Sequence, residues 1–310
     1  MEMIIQLLIL VAGFVMLVKG ADLFVDGAAG IAGKFGIPHL VIGLTIVAMG
    51  TSAPEAAVSI TAALKGNAGI TIGNVVGSNI MNIWVILGLA SVIIPIAVAK
   101  STVKVEIPYM LLITFLLLFL GYTGNEIVLW EGIVLWAAFI LYLAYLMWMA
   151  KKDKQETNEE DDDKPMWKLL VFVVVGLALI MFGSDFAVDA ATAIAKILGM
   201  SDRLIGLTIV AFGTSLPELV TSVAAARKGE ADIAIGNIVG SNIFNILFVV
   251  GTTALITPVV FEANFVIDML IAAATGILLW VCVFRKNKLS RKGGILMLVC
   301  YAAYFVYLIR

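Results

Sequence analysis

An acidic residue recurs within apolar stretches long enough to cross a membrane, and this limits what the chain can fold into. Gly43 to Glu55 reads GLTIVAMGTSAPE, and Gly206 to Glu218 reads GLTIVAFGTSLPE. Eleven of the thirteen positions are identical, at an offset of 163 residues. Around these stretches 62% of the 310 residues are hydrophobic and only 14% are charged. An average soluble domain carries roughly 25% charged residues. A chain this apolar cannot cover a water-soluble surface and takes lipid as its solvent.

Apolar runs lie near 4–32, 38–65, 70–98, 105–122, 126–150, 167–197, 202–226, 231–258, 263–284 and 291–309. Each approaches or exceeds the roughly 20 residues a helix needs to span a bilayer. Backbone in lipid must satisfy its own hydrogen bonds, so the runs predict ten helices and an all-α membrane protein. One hydrophilic segment, Lys151 to Lys164 (KKDKQETNEEDDDK), separates five runs from five. The expected organisation is a first repeat over residues 1–150, an acidic linker over 151–166 and a second repeat over 167–310. The linker reads as a solvated connection. The sharper alternative, a calcium-sensing patch, lacks the glycine turn of a dedicated calcium loop. Cys282 and Cys300 fall inside apolar runs and read as small hydrophobes rather than a disulfide framework. Glu2 stands where a signal peptide would be basic, so no cleavable signal is expected. No nucleic-acid module and no basic interaction stripe is evident.

Orientation follows from lysine and arginine in the loops. With ten spans the termini share one side. That side holds Lys65, Lys196, Arg203 and Arg310, while the other holds fifteen basic residues, from Lys34 through Lys151 and Lys228 to Lys292. The linker is therefore expected in the cytoplasm and both termini outside, in a multi-pass cytoplasmic-membrane protein. Five spans per repeat is an odd number, so the second copy enters the membrane from the opposite side. The halves become inverted repeats about an axis in the membrane plane, which characteristically share a site near the midplane.

The duplicated residues suit a cation. A carboxylate near the bilayer centre costs about 2.5–3.5 kcal/mol on insertion scales. No matching lysine or arginine stands by to neutralise Glu55 or Glu218. Either the acids are protonated or a bound cation compensates them; a neutral glutamate bonded to a neighbouring helix is the bland alternative. Pro54 and Pro217 precede them, and proline displaces the carbonyl four residues back. Helices 2 and 7 are thus expected to break, freeing carbonyls near Ala48 to Thr51 and Ala211 to Thr214. Such backbone is tolerated at membrane depth only where it lines a cavity or site. Carbonyl, hydroxyl and carboxylate oxygens are the ligands of hard cations.

A second block recurs at the same offset, Gly73 to Ile83 (GNVVGSNIMNI) and Gly236 to Ile246 (GNIVGSNIFNI). Asn74, Ser78 and Asn82 are four residues apart and share one helix face, as do Asn237, Ser241 and Asn245. Gly73/Gly77 and Gly236/Gly240 allow close helix approach. That approach would bring Ser78, Asn82, Ser241 and Asn245 to the site, whereas Asn79 and Asn242 read as interhelical hydrogen-bonding residues. Asp22 and Asp26 recur as Asp185 and Asp189; they read equally as cation-attracting or as ordinary interfacial charge. Lys19 could pair with Asp22 one turn away, and His39 reads as no metal ligand.

The paired GTSxPE and GNxxGSNxxN blocks resemble the two alpha-repeats of the cation/calcium antiporter superfamily, most closely prokaryotic sodium/calcium exchangers. The resemblance covers nearly the whole chain. It implies a transporter rather than an enzyme, with no cofactor and with Na+ and Ca2+ as substrates. It implies a calcium site formed by Glu55, Glu218 and the carbonyls of Thr51 and Thr214. It implies one sodium site from Glu55, the Ala211 carbonyl, Thr214 and Ser241, and its mirror from Glu218, the Ala48 carbonyl, Thr51 and Ser78. Asn82 and Asn245 would line the middle, and the first and sixth spans would slide across the core. Asparagine at 245, where some relatives carry aspartate, argues against potassium co-transport. One chain holds the whole site, so a monomer suffices for transport, while the oligomeric state is not legible. Proton/calcium exchange through the same glutamates is the alternative. A channel is disfavoured by the pseudo-symmetric site within one chain. Sodium-coupled uptake of an anion is disfavoured by a core without cationic residues.

Overall fold

The computed structural model describes residues 2–153, 164–200, 209 and 211–309. The first helix, α1 (Glu2–Phe35), leads into a helix that does not run straight. It starts as α2 (His39–Ile42), passes through a π-helical turn at Gly43–Val47 and resumes as α3 (Ala48–Thr51). At Ser52 it bends by 49° into α4 (Ala53–Leu64). Pro54 sits in the first turn of α4, where a missing N–H costs no helical bond. The span predicted over 38–65 is therefore a broken helix.

Next come α5 (Ile70–Met81), a π-helical segment at Asn82–Leu87 and α6 (Gly88–Ile93), together one continuous span. A π-helical segment at Thr102–Glu106 opens α7 (Ile107–Gly124), and α8 (Leu129–Lys152) closes the first half. The second half holds α9 (Met166–Ile197), α10 (Ala211–Gly213), α11 (Leu216–Arg227) and α12 (Ala231–Phe244). A π-helical segment at Asn245–Val250 joins α12 to α13 (Gly251–Ile256), and α14 (Phe265–Phe284) and α15 (Arg291–Ile309) follow. Eight helices among the described residues, plus the bent pair, are long and apolar enough to cross a membrane. Most of the predicted linker, and the stretch of the predicted seventh span before Ala211 apart from Ile209, lie outside the described residues.

The sidedness of polarity is the reverse of a soluble protein. Ile4, Leu8, Leu141, Val174 and Val281 are large apolar residues on the surface, spread along α1, α8, α9 and α14. Glutamate, asparagine, serine and threonine are buried in the middle. Such an apolar exterior is stable against acyl chains and not against water. The span holding α12 and α13 is almost wholly enclosed and forms the centre of the molecule.

Two contacts fix the arrangement around that centre. Helices α1 and α9 pack antiparallel with their backbones touching. A Cβ added at Gly20 would stand 2.8 Å from the Gly176 carbonyl oxygen, and one at Gly13 2.9 Å from that of Gly183. Only glycine permits this approach, so α1 and α9 form one layer. Two short antiparallel strand pairs then cross between the halves: β1 (Ile96–Ala97) with β4 (Lys288–Leu289), and β2 (Glu126–Ile127) with β3 (Val259–Val260). The apolar runs carry no signal for them; they satisfy extended backbone where chain leaves one helix for the next.

Candidate functional site

The site lies where the bend of the second span meets α5, α11 and α12. Glu55 and Glu218 each occupy the first turn of the helix after the break, and each is 1% exposed. The hydroxyl of Ser52 donates to Glu218 Oε1 at 2.9 Å, a contact directly between the two halves. Lysine and arginine are missing from the buried polar residues among those described.

The asparagines hold the glutamates from behind. Asn74 Nδ2 donates to the Glu55 carbonyl oxygen at 3.1 Å and to Ser59 Oγ at 2.9 Å. At the offset positions Asn237 Nδ2 donates to the Glu218 carbonyl oxygen at 3.4 Å and to Ser222 Oγ at 3.0 Å. Asn237 Oδ1 in turn accepts the Thr51 hydroxyl at 2.9 Å. Ser59 and Ser222 were not singled out from sequence. The signal was present, since both stand four residues after a site glutamate and repeat at the same offset.

Between α5 and α12 four asparagines form a linked cluster. Asn79 and Asn242 each donate to the other's backbone carbonyl at 3.2 Å. Their side-chain oxygens accept from Asn245 at 3.1 Å and from Asn82 at 2.9 Å. Every Nδ2 of the cluster is thereby used, and the side-chain oxygens of Asn82 and Asn245 take part in none of these bonds. Asn242→Ala deletes one donor and one acceptor in this buried cluster. We expect it to cost about 1–3 kcal/mol, read as a lower unfolding temperature in detergent.

Four buried acceptor oxygens stay without a donor in mirror pairs: Glu55 Oε2 with Glu218 Oε2, and Asn82 Oδ1 with Asn245 Oδ1. A buried acceptor left unpaired is costly. Four of them at duplicated positions, two on carboxylates, are a donor set suited to a hard cation. Two other buried acids are not mirrored, although Glu106 Oε2 likewise lacks a donor. Glu131 caps α8 by accepting the Val128 N–H at 2.8 Å, and Glu106 accepts the Tyr145 hydroxyl at 2.5 Å. Their offset positions are Gly294 and Met269, so neither belongs to the duplicated set.

The remaining predicted residues divide as follows. Ser241 Oγ donates to the Ala48 carbonyl oxygen at 3.3 Å, joining two residues of different predicted sodium sites. That carbonyl also accepts the Ser52 N–H at 3.0 Å, so the break does not leave it wholly free as expected. The helix departs from regular geometry in its π-helical turn instead, and both lone pairs of the Ala48 carbonyl are engaged, by the Ser52 N–H and by hydroxyl groups. Ser78 is buried on α5, and Thr51 lies at the end of α3 beside Glu218 and Asn237. Thr214 and Ala211 lie on the matching break, at the turn after α10 and at its first residue. Asp22 does not pair with Lys19; its carbonyl oxygen and that of the Asp26 carboxylate accept the Lys228 ammonium, at 2.9 and 2.5 Å. His39 bonds Glu230 at 2.5 Å, tying the start of α2 to the start of α12.

Comparison with known proteins places this geometry. Residues 5–148 and 168–310 match the family described as sodium/calcium exchanger protein. The sodium/calcium exchanger MaX1 of Methanosarcina acetivorans is 35% identical, over 98% of this chain and 98% of its own. The inner membrane protein YrbG of Escherichia coli is 36% identical, over 95% and 94%. A solved structure of the sodium-calcium exchanger NCX_Mj, soaked with zero Na+ and Ca2+, superposes with a TM-score of 0.85 at 35% identity. That match covers 98% of this chain and 99% of the other. The chain is thus an antiporter-type transporter rather than an enzyme, and it belongs to the sodium/calcium exchanger protein family.

Proposed function

We propose that this protein exchanges Na+ for Ca2+ across the cytoplasmic membrane by alternating access, with Glu55 and Glu218 at the shared site. The observation that carries the reading is the mirrored set of donorless oxygens on Glu55, Glu218, Asn82 and Asn245. Calcium is held by both glutamates with Thr51 and Thr214. Sodium takes two positions, one with Glu55, Ala211, Thr214 and Ser241, the other with Glu218, Ala48, Thr51 and Ser78. Two carboxylates balance one Ca2+ or two Na+ but not both sets. The ions therefore compete for the same oxygens, and competition is what makes an antiporter. The names of MaX1 and NCX_Mj support the choice of ions.

The architecture proposed is ten spans in two inverted five-helix repeats, with both termini outside and the acidic linker in the cytoplasm. The matched breaks before Glu55 and Glu218 and the glycine contacts between α1 and α9 support it. When more sodium charge than calcium charge moves, transport is electrogenic, and each net charge responds with about 2.3 kcal/mol per 100 mV. Asn245 supplies no extra charge for K+, so exchange is independent of potassium.

The test is calcium uptake into proteoliposomes loaded with sodium, in potassium-free buffer, with the membrane potential clamped. Uptake that needs the sodium gradient is expected, and it speeds up when the calcium-receiving side is made positive if more than two Na+ leave per Ca2+. Uptake driven by a pH gradient without sodium would contradict the sodium coupling.

A further inference from the structure

The duplicated charges outside the site are engaged on one face of the protein and disengaged on the other. On one face Lys228, at the end of α11, reaches the Asp26 carboxylate and the Asp22 carbonyl of α1. The second oxygen pair, Lys228 to Asp22 Oδ1, stands at 3.9 Å. At the 163-residue offset these three residues become Lys65, Asp189 and Asp185. Lys65 follows α4 and borders an open groove with Val58, Thr61 and Asn67. No ion pair joins Lys65 to Asp185 or Asp189 among the described residues, and both aspartates are exposed.

Packing follows the charges. Helix α1 lies along α11, while among the described residues α9 makes no comparable contact with α4. A two-fold symmetric molecule would show both contacts or neither. The two halves have therefore adopted different conformations around the same centre, and exchanging those conformations generates a second state. In that state α9 lies along α4, Lys65 meets Asp189 and Asp185, and Lys228 lets go of Asp26. Because α1 and α9 are locked together at Gly13, Gly20, Gly176 and Gly183, they move as one layer. One pair must open for the other to close.

We infer that Lys228–Asp26 and Lys65–Asp189 are alternating latches, positioning residues that hold the α1–α9 layer at one end of its travel or the other. The inference rests on the alternating-access reading above and adds the residues that set the balance between its two states. Lys228 and Asp26 are both part-exposed, as are Lys65 and Asp189, and an exposed ion pair is weak. Weakness suits a latch, since a strong pair would trap one state.

The test uses a full-length protein with Cys282→Ala and Cys300→Ala and one reporter, Val223→Cys, which lines the cleft between α1, α6 and α11. Its rate of labelling by a membrane-impermeant maleimide reports how often that cleft opens, without requiring transport. Lys228→Met and Asp26→Asn are each expected to raise the rate roughly two- to fivefold. Lys65→Met is expected to lower it, and Lys228→Asp combined with Asp26→Lys to bring it back towards the parent. Equal shifts in the same direction for Lys228→Met and Lys65→Met, or no shift in either, would overturn the latch. Opposed shifts in a protein that fails to exchange sodium for calcium would keep the latch and refute the transport reading.

Discussion

Glu55→Gln and Glu218→Gln are each expected to abolish sodium-driven calcium transport while leaving the protein folded. Glutamine keeps the shape and one acceptor oxygen of each side chain but removes the charge. Losing one partner of a buried charge interaction costs about 3–5 kcal/mol, on the order of a hundred- to several-thousandfold in calcium affinity. A single remaining carboxylate also balances only half of a calcium ion's charge. Neither variant should unfold, because Asn74 and Asn237 bond the Glu55 and Glu218 backbone carbonyls, and glutamine at 218 keeps an oxygen to accept the Ser52 hydroxyl. The measurement is calcium flux together with thermal unfolding of the same preparation. Robust sodium-dependent flux in either variant would remove that glutamate from the site.

Gly20→Leu carries the largest expected structural effect. A Cβ there meets the Gly176 carbonyl oxygen at 2.8 Å, the Ile180 nitrogen at 2.9 Å and the Leu179 Cβ at 2.9 Å. Two of those obstacles are backbone and cannot rotate away. The α1–α9 layer must separate along its length, and overpacking of this kind costs about 1–3 kcal/mol even where side chains can adjust. A fall in unfolding temperature of about 2–10 °C is expected, with loss of monodisperse protein. Gly33→Ala is the control on the same helix, since nothing lies within 4 Å of its added Cβ. Equal stability of the two variants would show that the layer is not held by glycine contact.

Much of the site was legible because the chemistry is duplicated. A glutamate in an apolar run is ambiguous once and pointed when it recurs with the same GTSxPE neighbours. The break of the second span could be read from Pro54, and the face shared by Asn74, Ser78 and Asn82 from their spacing. What sequence could not supply is the choice of partners. Asn79 and Asn242 meet only because α5 and α12 cross there, and Lys228 finds Asp26 from about two hundred positions away. The π-helical turns were also hidden, since one extra residue in a turn leaves the apolar pattern nearly unchanged. Ser59 and Ser222 were visible in the repeat and overlooked because a serine in an apolar helix carries little cost.

Competition between the two ions tests the shared site most directly. Purified protein is titrated with calcium at increasing sodium, and bound calcium is counted at equilibrium. Two carboxylates shared between the sets predict one calcium per chain, displaced completely as sodium rises, with calcium affinity falling more steeply than first order in sodium. Calcium that stays bound at saturating sodium would contradict a common site formed by Glu55 and Glu218.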